Sequence, residues 1–316
     1  MPKKVIYPDE ILRMAATLYH IDGLGQQEVA ALVHVSQTKV SRLLAIAQER
    51  GIVKVSVEQY NARDARLEAD LKQRFGLLDA AVIKTAKPVT AEAARQTVGH
   101  FGAPFVASLL PSPGVLALGG GRSIFEVVNR LRRSDQHRLT VVQAMGSIDS
   151  NISSVDALEL GRTIVKLWGG EFLTLSTPAF APDKKTRDAF LASAQIRSVW
   201  QRLKKADAAL VGVGPLEQTI YVERGVLNST DADQLRAAGA VGEICGRFFD
   251  RNGRECNSPW RTRALSVELD CLRKVPQVVG VAAGPERAPA VAAAMRGGLL
   301  KALLIDDSGA RALLAM

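Results

Sequence analysis

Long hydrophobic runs and paired cysteines are absent from this sequence. No stretch reaches the ~18 consecutive apolar residues of a membrane-spanning helix, so none is predicted. No apolar segment follows the polar start, Met1 to Lys4, so no secretory signal is expected and the predicted location is the cytoplasm. The three cysteines, Cys245, Cys256 and Cys271, are 11 and 15 residues apart, which argues against a disulfide framework and against a structural zinc site.

Histidines and aromatic residues are also scarce. The four histidines are scattered and none belongs to an HExxH motif, so no catalytic metal is predicted. Aromatic residues make up 5% of a chain that is 47% hydrophobic, and this aliphatic bias suits helices packed on a sheet. The net charge of +9 is not concentrated at one end, because residues 1–66 hold nine basic and seven acidic residues. Charge by itself therefore gives only weak support for a nucleic-acid partner.

The length of 316 residues predicts about two domains, and the pattern of residues 1–58 is that of the first. Apolar residues recur at helical spacing in three segments of this domain. Ser36 is placed to cap the third helix, and Gly51 is placed to end it. The alternation of valines over 52–58 predicts a short half-buried strand that would act as a small wing.

The second and third of these helices are separated by a three-residue turn, which predicts a helix-turn-helix. In that motif the second helix enters the major groove of DNA. The outer side of the third helix carries residue types suited to this role, since glutamine pairs with adenine, arginine with guanine and lysine with phosphates. The alternative interpretation is an ordinary solvated surface helix. The residues predicted to contact DNA are Ser36, Gln37, Thr38, Lys39, Ser41, Arg42 and Lys54.

The rest of the chain has the pattern of an α/β fold. Residues 59–76 predict a charged connecting helix, and residues 77–316 predict a large Rossmann-like domain. Within that domain, short and almost continuous apolar runs alternate with helical segments, which is typical of a mostly parallel sheet covered on both faces. The predicted strands are 80–83, 115–118, 139–144, 172–175, 208–213, 278–282 and 302–305.

Five blocks are distinctive and occur in this order: residues 25–44, 119–123, 206–214, 239–250, and 281–284 together with 304–307. The most specific block runs from Gly239 to Asp250 and reads GAVGEICGRFFD. Together the blocks resemble the SorC family of bacterial sugar-responsive transcriptional regulators. The resemblance implies a second domain with the fold of sugar-phosphate isomerases, a sugar effector that is usually phosphorylated, and a homo-oligomer, either a dimer or a tetramer.

The block 119–123, GGGRS, follows a predicted strand and opens a predicted helix. Glycines let the backbone approach a ligand, and the free N–H groups at a helix start favour an anion. The block is not a GxGxxG motif and lacks the lysine of a P-loop, so nucleotide binding is the weaker of the anion hypotheses. A tight turn that binds no ligand is the alternative interpretation.

The resemblance implies that the phosphate of the effector, or its equivalent, lies against this glycine-rich loop, and that Asp250 and Glu243 reach sugar hydroxyls. The chain departs from the family at Arg287, where many relatives have lysine, and at Gly120, where a bulky residue is common; arginine offers a planar fork instead of a point charge. Gln143 is either a pocket residue or a polar residue at the edge of the core. The predicted effector-binding residues are Gly119, Gly120, Gly121, Arg122, Ser123, Gln143, Glu243, Asp250 and Arg287.

These patterns predict a transcriptional regulator of a carbohydrate or polyol catabolic operon, controlled by a sugar, polyol or sugar phosphate. Its predicted partners are double-stranded operator DNA, the effector and further copies of the chain, with no membrane partner. No cofactor, metal or enzymatic activity is expected; Ser147 and Asp149 do not form a GxSxG hydrolase motif. The alternative is a sugar-phosphate isomerase or deaminase with an added N-terminal domain, for which Asp250 and Glu243 are the candidate acid and base.

Overall fold

The computed structural model describes residues 7–58, 60–86, 90–135 and 138–316. By their internal contacts the residues divide into two compact units, with the boundary between Asn61 and Ala62. The first six residues of the predicted domain 1–58, and residue 59 of the predicted connecting helix, lie outside the described residues. The hydrophobic core of the first unit is separate from the two cores of the second.

The described part of the first unit contains three helices: α1 (Asp9–His20), α2 (Gln26–Leu32) and α3 (Gln37–Glu49). The hydroxyl of Ser36 caps α3 by accepting a hydrogen bond from the Lys39 N–H at 3.3 Å. Gly51, with φ of +70°, lets the chain turn away after α3. The three helices share one small core, which includes Leu12, Val29, Val40 and Leu43. The predicted helix-turn-helix is confirmed.

The strand predicted over residues 52–58 is wrong. The segment is irregular backbone, and the side chains of Val55 and Val57 are 60% and 81% exposed. A strand needs a neighbour to bind its backbone N–H and C=O groups, and the described part of the first unit contains no other strand. Alternating valines satisfied the pattern of a strand without supplying its partner. Lys54, which the prediction placed on a wing, lies in this exposed segment.

Seven strands form the central sheet of the second unit: β1 (Asp79–Ile83), β2 (Gly114–Leu118), β3 (Leu139–Gln143), β4 (Gly170–Leu173), β5 (Ala208–Gly212), β9 (Gln277–Val281) and β10 (Ala302–Asp306). Their order is β1-β10-β9-β5-β2-β3-β4, and every neighbouring pair is parallel. Each of the seven predicted apolar runs forms one of these strands, although β4 begins two residues before the run predicted for it. The predicted α/β fold is confirmed.

A second sheet, of three short antiparallel strands, was not predicted. Its strands are β6 (Gly214–Pro215), β7 (Gly242–Ile244) and β8 (Arg247–Phe249), in that order. Strands of two or three residues are too short to show an alternating pattern in the sequence. The turn between β7 and β8 consists of Cys245 and Gly246, both with positive φ, as a two-residue hairpin requires.

Helices cover both faces of the large sheet. Successive residues of a strand point to opposite faces, so Ala81 and Ile83 enter one core whereas Ala80 and Val82 enter the other. No helix of the described residues is long and apolar enough to span a membrane. The helices are α4 (Ala65–Phe75), α5 (Ala91–Leu109), α6 (Arg122–Val128), α7 (Ala157–Trp168), α8 (Lys184–Ala192), α9 (Ala194–Leu203), α10 (Ile220–Glu223), α11 (Ser229–Ala237), α12 (Pro259–Arg263), α13 (Leu269–Lys274), α14 (Ala288–Arg296) and α15 (Asp307–Leu314).

Helix α4, which covers most of the predicted connecting segment 59–76, packs within the second unit. Its residues Leu67 and Leu71 are buried in one of the cores of that unit. Asp64 caps the helix by accepting a hydrogen bond from the Leu67 N–H at 3.2 Å, and Gly76 ends it with φ of +65°. The connection is therefore a helix fixed to the second unit through its apolar side.

The strand order leaves a crevice at one end of the large sheet. From β2 the chain proceeds outward through β3 to β4, and then returns to β5 on the other side of β2. At such a reversal the loops after the two central strands diverge, and ligands of open α/β folds bind in the crevice between them. The fold therefore points to the carboxyl ends of β2 and β5 as the place to look for a site.

Candidate functional site

A cavity opens at this end of the sheet. Seven of the nine predicted effector-binding residues line it: Gly120, Gly121, Arg122, Ser123, Gln143, Glu243 and Arg287. The wall is assembled from stretches that are far apart in the chain, because several strands end here side by side. The lining residues fall within the segments 120–124, 143–158, 212–221, 243–245 and 281–287.

The glycine-rich loop between β2 and α6 forms one wall. Gly121 has φ of +124°, a conformation that residues with a Cβ rarely adopt. A Cβ at Gly120 would lie 3.0 Å from the carbonyl oxygen of Val155, and the Gly121 N–H donates a hydrogen bond to that same oxygen at 2.8 Å. The two glycines therefore let the loop pack closely against the segment before α7. Arg122 and Ser123 follow on the cavity wall.

Arg287 brings a buried positive charge to the cavity. Its Nη1 donates a hydrogen bond to the carbonyl oxygen of Val213 at 3.1 Å. Its Nε is buried and has no hydrogen-bond partner among the described residues, since Oε1 of Glu286 is 3.9 Å away. Burial lowers the pKa of Arg287, and the positive charges of Arg122 and Arg95 lower it further, whereas the carboxylates of Glu286 and Glu243 oppose the shift. An anion beside this guanidinium would satisfy the free donor and add to this partial compensation of its charge.

Glu243 supplies a carboxyl group on the wall formed by β7. Its Oε2 accepts a hydrogen bond from the Gly246 N–H at 3.0 Å. Burial raises the pKa of Glu243 to about 7, although that hydrogen bond and the positive charge of Arg287 partly oppose the shift. Near neutral pH the group is therefore present both as acid and as carboxylate, so that it can donate to a sugar hydroxyl or accept from one.

An ion-pair cluster that the sequence did not reveal lies beside the cavity. Asp149 and Asp156 line the cavity, and Arg224, just after α10, bridges them with N–O distances of 3.4 and 3.0 Å. Both aspartates belong to the segment that follows the predicted strand 139–144. This position after a strand is the one signal in the sequence that could have identified them as residues near the cavity. A position after a strand does not by itself distinguish Asp149 from its neighbours, and its failure to fit a hydrolase motif gives no further indication.

An apolar side of the cavity is formed around Tyr221. Its hydroxyl donates a hydrogen bond to the sulfur of Met145 at 3.0 Å, and its ring meets that of Phe180 edge to face at 5.5 Å between centroids. Burial raises the pKa of Tyr221 well above its ordinary value, so the side chain is uncharged. The cavity thus combines an apolar surface with a few polar groups, as sites for small molecules usually do.

Gln143 lines the cavity at the end of β3, and its side-chain carbonyl accepts a hydrogen bond from the buried Leu175 N–H at 3.2 Å. Both of its predicted roles, pocket residue and polar residue at the core edge, therefore describe it. Gly119 does not line the cavity. It lies against β5 through a hydrogen bond from its N–H to the Leu210 carbonyl at 2.9 Å, and a Cβ there would come within 3.1 Å of the Cys245 sulfur.

Asp250 is the second predicted residue that does not line the cavity. Its Oδ1 accepts hydrogen bonds from the N–H groups of Asn252 and Arg254, both at 2.9 Å, in the turn after β8. The prediction that Asp250 reaches the sugar hydroxyls is therefore corrected by its position. The hairpin of β7 and β8 brings Glu243 to the cavity, whereas the chain reaches Asp250 only after β8 has ended.

Five of the residues predicted to contact DNA lie on the side of α3 opposite its core, whereas Ser36 caps the helix and Lys54 lies in the irregular segment after it. All seven of them are exposed, and none contributes to the core of the first unit: Ser36, Gln37, Thr38, Lys39, Ser41, Arg42 and Lys54. The Lys39 ammonium lies 5.6 Å from the centre of the Tyr7 ring, a cation–π contact that orients it. The outer side of this helix is thus polar, partly basic and open to solvent within its own unit.

A helix-turn-helix unit followed by an α/β unit, whose cavity combines an apolar surface with a few charged and polar groups, is the architecture of a ligand-responsive transcriptional regulator. The family model described as "Putative sugar-binding domain" matches residues 60–315. The chain therefore belongs to the SorC family of sugar-binding transcriptional regulators, as the sequence blocks implied.

Named relatives and a solved structure agree with this membership. The sorbitol operon regulator of Klebsiella pneumoniae is 27% identical, over 95% of this chain and 96% of its own. The deoxyribonucleoside regulator of Bacillus subtilis is 27% identical, over 95% of each chain. The crystal structure of the full-length sorbitol operon regulator SorC from Klebsiella pneumoniae matches with a TM-score of 0.77 and 26% identity, covering 98% of this chain and 100% of that one.

Proposed function

We propose that this chain binds operator DNA and regulates a carbohydrate or polyol catabolic operon, under the control of a small molecule bound in the cavity. The observation that carries this proposal is the buried Arg287, whose Nε has no hydrogen-bond partner among the described residues and which lines the cavity together with Ser123 and Glu243. A buried donor of this kind needs an acceptor, which on a cavity wall is either water or a ligand. The relatives named for sorbitol and deoxyribonucleoside regulation support the same class of ligand.

The proposed effector is a sugar, a polyol or a sugar phosphate. An anionic group would bind beside Arg122, Ser123 and Arg287, and hydroxyls would bind to Glu243 and Gln143. The apolar surface at Tyr221 would contact the carbon skeleton. The arginine fork of Arg287 can bind two oxygens of a phosphate or carboxylate, and it can also donate to neutral hydroxyls.

For DNA, we propose that α3 lies in the major groove. Gln37 and Arg42 would read base edges, whereas Lys39 and Lys54 would contact phosphates, and the hydroxyls of Ser36, Thr38 and Ser41 would bind either. Reading two half-sites requires at least two copies of the chain, so we propose a homo-oligomer, either a dimer or a tetramer, that acts in the cytoplasm. The proposal includes no cofactor and no membrane partner.

A sugar-phosphate isomerase or deaminase remains the second candidate, and one observation favours it: the pKa of Glu243, about 7, suits a general acid or base. Catalysis needs a second group positioned across the sugar, and the other predicted candidate, Asp250, is engaged in a turn outside the cavity. The two aspartates that line the cavity, Asp149 and Asp156, are both paired with Arg224. We therefore propose that the protein is not an enzyme.

The test measures ligand turnover and DNA binding on the same samples. A thermal-shift panel of sugars, polyols and their phosphates selects ligands, and fluorescence anisotropy then measures the affinity for DNA from the chain's own promoter. A ligand that stabilises the protein should change the DNA affinity, and the DNA should change the ligand affinity by the same factor. Turnover of a ligand without any effect on DNA affinity would contradict the proposal and favour the enzyme.

A further inference from the structure

One ion pair beside the cavity joins the glycine-rich loop to the end of α10. Nη1 of Arg122, at the end of the glycine-rich loop, is 3.0 Å from Oε1 of Glu223, the last residue of α10. The residues just before it on α10, Ile220 and Tyr221, line the cavity, as does Arg122 itself. Both charged side chains remain partly exposed, at 40% and 49%, so solvent and a dissolved ligand can reach the pair.

The two arginines that line the cavity differ in how closely a carboxylate approaches them. Arg122 is neutralised by Glu223, whereas the nearest carboxylate oxygen recorded for Arg287, on Glu286, is beyond hydrogen-bond distance from its Nε. The two guanidinium groups are close enough for the charge of Arg122 to disfavour that of Arg287. An anion that binds to Arg287 is therefore attracted by Arg122 and repelled by Glu223, in proportion to its own charge.

We propose that Glu223 is a specificity-determining residue, which competes with the anionic group of an effector for Arg122. The inference rests on the proposed function, because it assumes that effectors bind in this cavity. In the ligand-free protein the Glu223 carboxylate binds Nη1 of Arg122. A phosphate or carboxylate of a ligand that binds this nitrogen must displace Glu223, whereas the hydroxyls of a neutral polyol need not.

Binding of an anionic ligand would also change how α10 is held to the rest of the unit. When an anion takes over Arg122, the ion pair that joins the glycine-rich loop to α10 is broken. Arg224, the next residue along the chain, still holds the end of α10 to Asp149 and Asp156. An anionic ligand thus breaks one of these three ion pairs at the end of α10, and a neutral ligand breaks none of them.

The experiment measures the binding of inorganic phosphate by calorimetry at about 10 mM ionic strength, where screening is weak. The full-length variant Glu223→Gln should bind phosphate about twofold to fivefold more tightly than the original chain, the range that an exposed ion pair supports. The matched control is Glu217→Gln, which removes a carboxylate just before α10 that lies 3.9 Å from Arg236 and does not line the cavity. That control should leave the phosphate affinity unchanged.

A second pair of variants tests whether the effect operates through Arg122. In the Arg122→Gln background, Glu223→Gln should give no further gain in phosphate affinity, because the group for which Glu223 competes has been removed. The gain in the original background should also shrink at high salt. Thermal unfolding of all variants checks that they are folded.

Three outcomes would overturn the proposal: an unchanged or weaker phosphate affinity in Glu223→Gln, an equal gain in Glu217→Gln, or no phosphate binding in any variant. The proposed function is judged separately, by whether a sugar or polyol changes the affinity of the same protein for promoter DNA. If that response persists while the Glu223 effect is absent, only the role of Glu223 is lost. If the response is absent as well, the regulator assignment fails with it.

Discussion

The two units of this protein carry their functional groups in opposite ways. In the first unit most of the residues proposed to contact DNA lie on the outer side of a single helix, α3, whose inner side contributes to the core. In the second unit the proposed ligand-binding groups lie on the wall of a cavity, which five distant segments assemble. One function thus requires only a stable helix, whereas the other requires the correct packing of a whole sheet.

In the first unit a substitution can therefore change DNA binding without changing the free energy of unfolding. In the second unit a substitution on the cavity wall changes both ligand binding and the free energy of unfolding. Arg42 on α3 is exposed and takes no part in the core of its unit, so replacing it should affect binding and leave folding almost unchanged. Glu243 and Arg287 are shielded from solvent by the elements that form the cavity, so changes there alter both the ligand and the free energy of unfolding. Four substitutions sharpen this comparison.

The largest effect is expected from the core of the first unit. Leu43 is fully buried, and Leu43→Ala should lower the free energy of unfolding of this unit by about 2–5 kcal/mol. DNA binding should be lost, while ligand binding to the second unit persists, because the cores are separate. Calorimetric unfolding and DNA anisotropy measure both. The control is Leu32→Ala, an exposed leucine on α2, and an equal loss of stability in this control would be contrary to expectation.

A negative charge on the glycine-rich loop should have the next largest effect. Ser123 is buried on the cavity wall, and Ser123→Asp places a carboxylate where the effector's anion is proposed to bind. Repulsion at about 4 Å in such a site predicts at least a hundredfold loss of affinity for a phosphorylated effector. Ser123→Ala is the uncharged control. A retained response to sugar phosphates in Ser123→Asp would refute the anion site and leave the DNA-binding proposal intact.

On α3, Arg42→Ala should weaken binding to the specific operator by about 1–3 kcal/mol if the side chain reaches a base. The free energy of unfolding should change by less than about 0.5 kcal/mol, because the residue is exposed. Footprinting and anisotropy give the first value, and urea unfolding gives the second. Arg13→Ala, an exposed arginine on α1, serves as the control. An unchanged footprint in Arg42→Ala would count against the assignment of α3 as the recognition helix.

The last effect is a dependence of stability on pH. The pKa of Glu243 is about 7 in the folded protein against 4.5 ordinarily, so the folded state holds the proton more tightly. The resulting stabilisation is complete below pH 4.5 and is lost as the pH rises through 7. Glu243→Gln, uncharged throughout, should therefore be more stable than the original chain by about 3 kcal/mol at pH 8 and nearly equal at pH 4.5.

Urea unfolding at the two pH values tests this, with Glu159→Gln on α7 as an exposed control that should show no such difference. If Glu243→Gln were no more stable at pH 8 than at pH 4.5 relative to the original chain, the carboxyl group would not be desolvated in the folded state. The comparison of the two units would then lose its clearest case of a functional group that opposes stability.

How far the sequence predicts structure also differs between the units. The caps at Ser36 and Gly51 are local, and they correctly delimit α3. The alternation of Val55 and Val57 is a local signal as well, but a strand also needs a neighbouring strand to bind its backbone. The strand predicted over residues 52–58 is wrong for that reason. In the second unit the seven long strands are evident from their apolar runs. The short strands β7 and β8, which bring Glu243 to the cavity, have no such signal.

By itself, the sequence determined the helix-turn-helix, the seven-stranded α/β fold and the family, since each depends on local periodicity or on blocks of residues that keep their order. Only the tertiary structure decided which polar groups meet. Asp250 lies outside the cavity, while Asp149, Asp156, Arg224 and Glu223 lie in it or beside it. The physical reason is that charge interactions depend on distances in space, and packing of the strand ends sets those distances between residues far apart in the chain.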